Sequence, residues 1–507
     1  MIRLSLFAGM FCLVCTGLSA QNITRESSLD DLSLAFAKNS WNAFYDFLAL
    51  PNDAHFPEDM EKNIQWCEQA FSQRGFKVQR LPTPELPLLL AELPQPGAEK
   101  TVLVYLQIDG QPVDPSAWFQ ENPFVPVLKE KDATGNWQII PWARLESDYQ
   151  PEWRIFARST SDAKGPAMAF LQAFDITTFL EKSPNYNLKV IMDFEEELGS
   201  PNLPPAVARH KALLSADMLI ICDGPRHITN QPTLTFGARG IATITLQVFG
   251  PKVAQHSGHY GNYAPNPALR LAQLLSGMKD EEGRVTIPGF YEGIALDDAT
   301  RSILAQVPDD EKFIQENLGI AAPDQVGNNY QEALQYPSLN IRGLSSAWTG
   351  KQVRTVVPAE ATAEIDIRLV PESDPKRLIQ LVRDYITSQG YHITDQAPTD
   401  AERQQYSKIL RMESSISYLA FRTDFDSEVG LWLDRAIVGA FGKTPIKIRS
   451  SGGSIPISPF VQTLGIPAVT VPIVNRDNNQ HSPNENIRLG NYVDGIKTYL
   501  AILLEAL

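Results

Sequence analysis

The sequence predicts an α/β protein: a mostly parallel central sheet with helices on both faces, interrupted by an inserted α+β module. Three observations predict it. Short continuous apolar runs, ThrValLeuValTyrLeu (101–106), AsnLeuLysValIleMetAspPhe (187–194) and AspMetLeuIleIleCys (217–222), alternate with helical stretches, which is the pattern of strands buried on both faces. Near residue 232 the texture changes to strict alternation of apolar and polar residues, the mark of half-exposed strands. Finally, 507 residues exceed what one hydrophobic core usually serves.

The elements follow in chain order. Residues 1–20 read as a cleaved secretory signal peptide: Met1-Ile2-Arg3 gives a short positive start, Leu4 to Cys15 an apolar run, and ThrGlyLeuSerAla ends at Ala20. The run is too short to span a bilayer comfortably, and no later stretch has the length and apolarity of a membrane helix. The protein is therefore expected to be secreted or periplasmic, with no membrane span after cleavage. Residues 28–49 and 58–74 read as amphipathic helices, the second stopped by Gly75. Then come the strand at 101–106, a helix from Ala163 to Lys182, and the strands at 187–194 and 217–222. This first part of the larger domain spans 21–232. The insertion, 233–420, begins with a single alternating strand at 233–250, followed by a helix at 267–276, a strand at 361–370 and a helix at 375–389. The α/β pattern resumes over 421–507, with a helix through Ala440 and a C-terminal helix from about 490.

An apolar share of 43% and a charged share of 20% belong to an ordinary globular chain. A net charge of −15 and a pI near 5.0 argue against nucleic acid as a partner. Cys67 and Cys222 are the only thiols left after cleavage; they do not make a disulfide framework, and Cys222 reads as a small buried hydrophobe in its strand.

The chemistry lies in an ordered set of acids and one histidine at or just past strand ends, where an open α/β sheet places its ligand crevice. Asp162 stands in SerAspAlaLysGlyPro (161–166), Glu196 and Glu197 in GluGluGluLeuGlySer (195–200), Asp223 closes the strand at 217–222, and His481 opens HisSerProAsnGluAsn. Singly, a triple Glu is a solvated face and an Asp before Lys-Gly a turn residue. Together they match the needs of a two-metal hydrolase: a short carboxylate to bridge two cations, terminal carboxylate and imidazole ligands, and a free carboxylate as base.

These motifs resemble the dinuclear metallohydrolases of the carnosinase, aminoacylase and carboxypeptidase G type, closest to the dipeptidase branch. The likeness covers nearly the whole mature chain. It implies a zinc-peptidase-like catalytic domain and an inserted lid that also dimerises. It also implies metal-assisted hydrolysis of an amide bond in a short peptide or N-acyl amino acid with a free carboxylate. Glu196 would act as general base on a metal-bridging water; Asp162, Glu197, Asp223 and His481 would be metal ligands. GlnHisSerGly (255–258), ThrValValPro (355–358), IleArgLeuValPro (367–371) and SerGlyGlySerIlePro (451–456) look like the dipeptidases' substrate motifs. His256 would reach across a homodimer to stabilise the oxyanion. Arg368 and Thr355, with Gly452, Gly453 and Ser454, would hold the substrate carboxylate. The cofactors implied are two divalent ions, zinc with manganese as the alternative.

One position departs from the pattern. Where the family has His-x-Asp, this chain reads Gln107-Ile108-Asp109. The expectation is that the Gln107 amide oxygen replaces the imidazole as a ligand, turned toward the metal by a hydrogen bond from its NH2 to Asp109. That site would be the weaker one. The alternative is a one-metal or non-catalytic peptide-binding relative.

Overall fold

The computed structural model describes residues 23–453 and 455–507. Its centre is an eight-stranded sheet ordered Lys77–Leu81, Leu88–Leu93, Asn187–Asp193, Thr101–Gln107, Met218–Ile221, Ala468–Thr470, Thr233–Thr235 and Ile446–Ile448. The four strands from Asn187–Asp193 to Ala468–Thr470 run parallel to one another. Antiparallel pairings bound them on either side, and the last two strands, Thr233–Thr235 and Ile446–Ile448, are parallel to each other. The apolar runs are continuous because both faces are covered. Val102, Val104 and Leu106 point into a core shared with the helices Leu29–Leu48, Pro57–Ser72, Lys164–Phe179, Glu428–Phe441 and Leu489–Leu504. Leu103 and Tyr105 point the other way, against Leu203–Arg209 and Ser458–Leu464, as the two-residue period of a strand requires.

A second sheet of five strands has its own core, with Ile244, Leu246 and Ile365 packed under the helices Pro267–Ser276 and Pro375–Ser388. Its middle strand, Gly240–Phe249, alternates buried and half-buried residues. The single strand expected at 233–250 is a correction. Thr233–Thr235 pairs in the central sheet, Gly237–Ala238 pairs with Phe421–Arg422, and Gly240–Phe249 joins the second sheet. The cause is steric. A Cβ at Gly240 would lie 2.5 Å from the Ala420 nitrogen and 2.6 Å from the Tyr418 oxygen, so only glycine lets the two backbones cross this closely. The chain thus passes between sheets through a two-stranded neck, outbound over 237–240 and returning over 418–422.

A third, four-stranded antiparallel sheet, absent from the sequence expectation, pairs Asn486–Arg488, Arg154–Phe156, Val127–Lys131 and Trp137–Ile140. It brings residues 157–162 beside 481–485. Among the described residues no helix has the length and apolarity to cross a membrane. Cys67 and Cys222 are both free and buried. The expected signal peptide, residues 1–20, lies outside the described residues.

Candidate metal centre

The acids of the site are delivered by several elements. Gln107 ends the central strand, Asp109 follows it, Glu196 and Glu197 sit in a 3-10 turn after Asn187–Asp193, and Asp223 lies two residues past Met218–Ile221. The 3-10 turn is held from below. Asp193 accepts from the Tyr105 hydroxyl at 3.0 Å, the Ser200 hydroxyl at 2.5 Å and the Glu195 N–H at 3.0 Å. Asp109 accepts from the backbone N–H of Glu196 at 3.1 Å and of Glu197 at 2.9 Å. The role expected of Asp109, turning the Gln107 amide, is therefore not what it does here: both its oxygens serve the glutamate turn.

Asp162 is positioned by a residue the sequence reading did not single out, from the loop that carries His481. Glu485, fully buried, accepts from the N–H groups of Ser159, Ser161 and Asp162 at 3.0, 2.9 and 2.9 Å, and from the Ser161 hydroxyl at 2.9 Å. Its charge is met by Arg158 at 2.7 Å. An acid four positions after a candidate ligand, inside the same Asn-rich loop, was the available signal. In that loop Asn479, His481 and Asn484 have φ of 56°, 60° and 64°. Two of the three are asparagines, which tolerate the left-handed region; a histidine held there is strained, a frequent property of functional positions.

The result is one compact donor group. Ligating atoms of Asp162, Glu197 and His481 all lie within 4.8 Å of one another. His481 Nε2 stands 3.0 Å from Asp162 Oδ2 and 3.4 Å from Glu197 Oε2. The two carboxylates are 6% and 4% exposed and the imidazole 53%, so the group opens to solvent on the histidine side. Two carboxylates and one imidazole within this radius suit a zinc-sized cation. The electrostatics call for one. Burial, then Asp162, pushes Glu197 up to about 8, and burial with Asp162 takes Asp223 to about 7. Burial, then Asp223, holds Glu196 well above the usual carboxylate range, and burial with Asp193 does the same for Asp109. The hydrogen bond to Asp162 lifts His481 to about 9. Carboxyls crowded and buried in this way hold their protons unless a cation takes the protons' place.

Gln107, 2% exposed, joins the cluster through Nε2, which donates to Asp162 Oδ1 at 2.5 Å. Gln111 donates to Glu197 Oε2 at 2.8 Å, and Gln480 to Asp162 Oδ2 at 3.4 Å. The remaining expected positions lie on the second sheet and its approaches. His256 and Thr355 are exposed and lie side by side: His256 pairs with Val356, and the Ser257 N–H donates to the Thr355 carbonyl at 3.1 Å. Among the described residues no hydrogen bond or ion pair joins them to the acidic cluster. Arg368 Nε is 3.5 Å from Asp366 and close enough to Arg239 to lower its pKa, after burial. Gly452 faces Leu334 and the Tyr330 hydroxyl, and the Gly453 carbonyl accepts from Ser451 Oγ at 2.9 Å. Ser454 lies outside the described residues.

Comparison with known proteins points to one family. Residues 236–394 match the peptidase dimerisation domain. The fold superimposes on a family-M20 metallo-carboxypeptidase from Sulfolobus solfataricus with a TM-score of 0.74 and 27% identity, covering 92% of this chain and 98% of that one. The chain is similar to the M20 metallopeptidases over most of its length. It is 28% identical over 443 residues to the mouse Beta-Ala-His dipeptidase, covering 84% of this chain and 81% of that protein. It is 26% identical over 435 residues to a Cys-Gly metallodipeptidase of Schizosaccharomyces pombe, covering 84% of both. The fold also matches human carnosine dipeptidase 1, with a TM-score of 0.69 over 94% of this chain.

Proposed function

We propose that this chain is a metal-dependent hydrolase that cleaves an amide bond in dipeptides, short peptides or N-acyl amino acids bearing a free carboxylate. The observation that carries the proposal is the Asp162, Glu197 and His481 group, with Glu196 beside it in a turn fixed by Asp109. Zinc is the proposed ion and manganese the alternative, since the donors are carboxylate oxygen and imidazole nitrogen. When bound, the ion polarises the substrate carbonyl and lowers the pKa of water and carboxylates around it.

The chain's own residues do the rest. Glu196 takes the proton of the attacking water and hands it to the leaving amine. Its neighbour Glu197 is held to the metal side by Gln111. Arg368 meets the substrate carboxylate with a planar two-pronged donor, and the backbone of Gly452 and Gly453, with Ser454 and Thr355, closes around the same end. The homodimer forms through the domain at 236–394, and His256 of one protomer donates to the oxyanion in the other protomer's site. Export to the periplasm or the medium is proposed from residues 1–20.

The test is hydrolysis of a panel containing β-alanyl-histidine, cysteinylglycine and N-acyl amino acids by the zinc- and manganese-loaded protein, beside Glu196→Gln. Turnover by the unmutated protein and none by the variant, with metal content unchanged, is the expected result. Equal rates for the two sink the reading.

A further inference from the structure

The bridging role expected of Asp162 needs one oxygen on each of two cations. Only one of its oxygens faces a metal position. Oδ2 is 3.0 Å from His481 Nε2, on the side of the donor group. Oδ1 is met by Gln107 Nε2 at 2.5 Å. Two atoms sharing a zinc-sized cation with bonds of about 2.0–2.2 Å sit roughly 3 Å or more apart in a tetrahedral shell, so a 2.5 Å contact leaves no cation between them. It is a charge-assisted N–H···O⁻ hydrogen bond, among the strong ones. The Gln107 oxygen, which would have to be the ligand, is buried without a partner on the other side of the amide. Turning the amide over would exchange this hydrogen bond for an oxygen-to-oxygen repulsion unless a second cation arrived with it. Asp223, the remaining expected ligand there, has Oδ1 engaged by the Gly224 N–H at 2.6 Å. A neutral amide, one shared carboxylate and one partly engaged carboxylate make a poor competitor to the group containing His481.

We infer that this chain holds a single divalent ion, at Asp162, Glu197 and His481, and that the Gln107 NH2 stands where the second cation would, pinning Asp162 Oδ1. Asp162 is then a terminal ligand through Oδ2, and Gln107 is a positioning residue. The inference rests on the reading that this donor group binds metal.

The experiment is metal stoichiometry. Full-length mature protein, stripped with chelator and dialysed against zinc and separately against manganese, is analysed for metal per chain and titrated against a chromophoric chelator. The unmutated protein is expected to hold one ion. Gln107→His, which supplies an imidazole, is expected to hold two. Gln107→Ala is expected to hold one, about tenfold more weakly, as loss of a ligand's hydrogen-bond partner does. Two ions of similar affinity in the unmutated protein overturn the inference and leave the hydrolase reading standing. One ion in Gln107→His overturns Gln107 as the cause, and unchanged affinity in Gln107→Ala overturns its positioning role. No ion in any form overturns both the inference and the proposed function.

Discussion

The Glu485 carboxylate accepts the backbone N–H of Asp162 at 2.9 Å, across 323 residues of sequence. A ligand's turn is thus fixed by an acid from the loop that carries another ligand. Replacing Glu485 by Gln puts an NH2 among four donors and leaves Arg158, 3% exposed, without its counter-charge. Breaking a buried pair in this way costs about 3–5 kcal/mol, and metal affinity falls about 10–100-fold. Chemical denaturation and competition titration measure the two separately. An unchanged metal affinity would show that Glu485 serves stability alone.

Metal affinity and stability depend on pH with a definite sign. In the metal-free protein Glu197, pushed up to about 8 by burial and Asp162, keeps its proton where the unfolded chain has lost it. His481, lifted to about 9 by Asp162, does the same above its unfolded value. The folded state then binds more protons than the unfolded one, so stability falls as pH rises from about 5 to 9. A bound cation displaces those protons. The gap in Tm between zinc-loaded and chelator-treated protein should widen across that range; a gap that narrows contradicts these assignments.

Dimerisation makes a complementation test available. Glu196→Gln and His256→Ala are each expected to lose at least about 100-fold in kcat, the second through one missing oxyanion donor. If His256 serves the opposite protomer, half the dimers re-formed from an equimolar mixture are mixed, and each holds one intact site of two. Activity should recover to about a quarter of the unmutated value. No recovery would place His256 in its own protomer's site.

Gly240→Ala should destabilise the chain by about 1–3 kcal/mol, because the added methyl meets backbone atoms of Ala420 and Tyr418 that cannot turn aside. Urea denaturation gives the number, and a value near zero would mean that the crossing is loose.

Much of this was legible because burial leaves a plain trace. The strands at 101–107, 187–193 and 218–221 are largely apolar since helices cover both sides, and the acids follow where the strands end. What misled was alternation. The stretch 233–250 keeps its period across three strands in three sheets, and only the glycines at 237 and 240 mark the changes. The small sheet at 127–156 and 486–488 carries charged residues on short strands and has no strong period. Glu485 is silent for a different reason: an acid is buried because N–H groups 323–326 residues away turn toward it, which no local pattern contains.

The neck between the two large sheets has a mechanical consequence. Gly237–Ala238 and Phe421–Arg422 are hydrogen-bonded to each other, so the outbound and returning chains form a ribbon instead of two independent tethers. The module carrying His256, Thr355 and Arg368 is thereby joined to the rest of the chain by a paired connection, to which the contacts of His227 with Asp309 and of Arg449 with Gln335 add further ties.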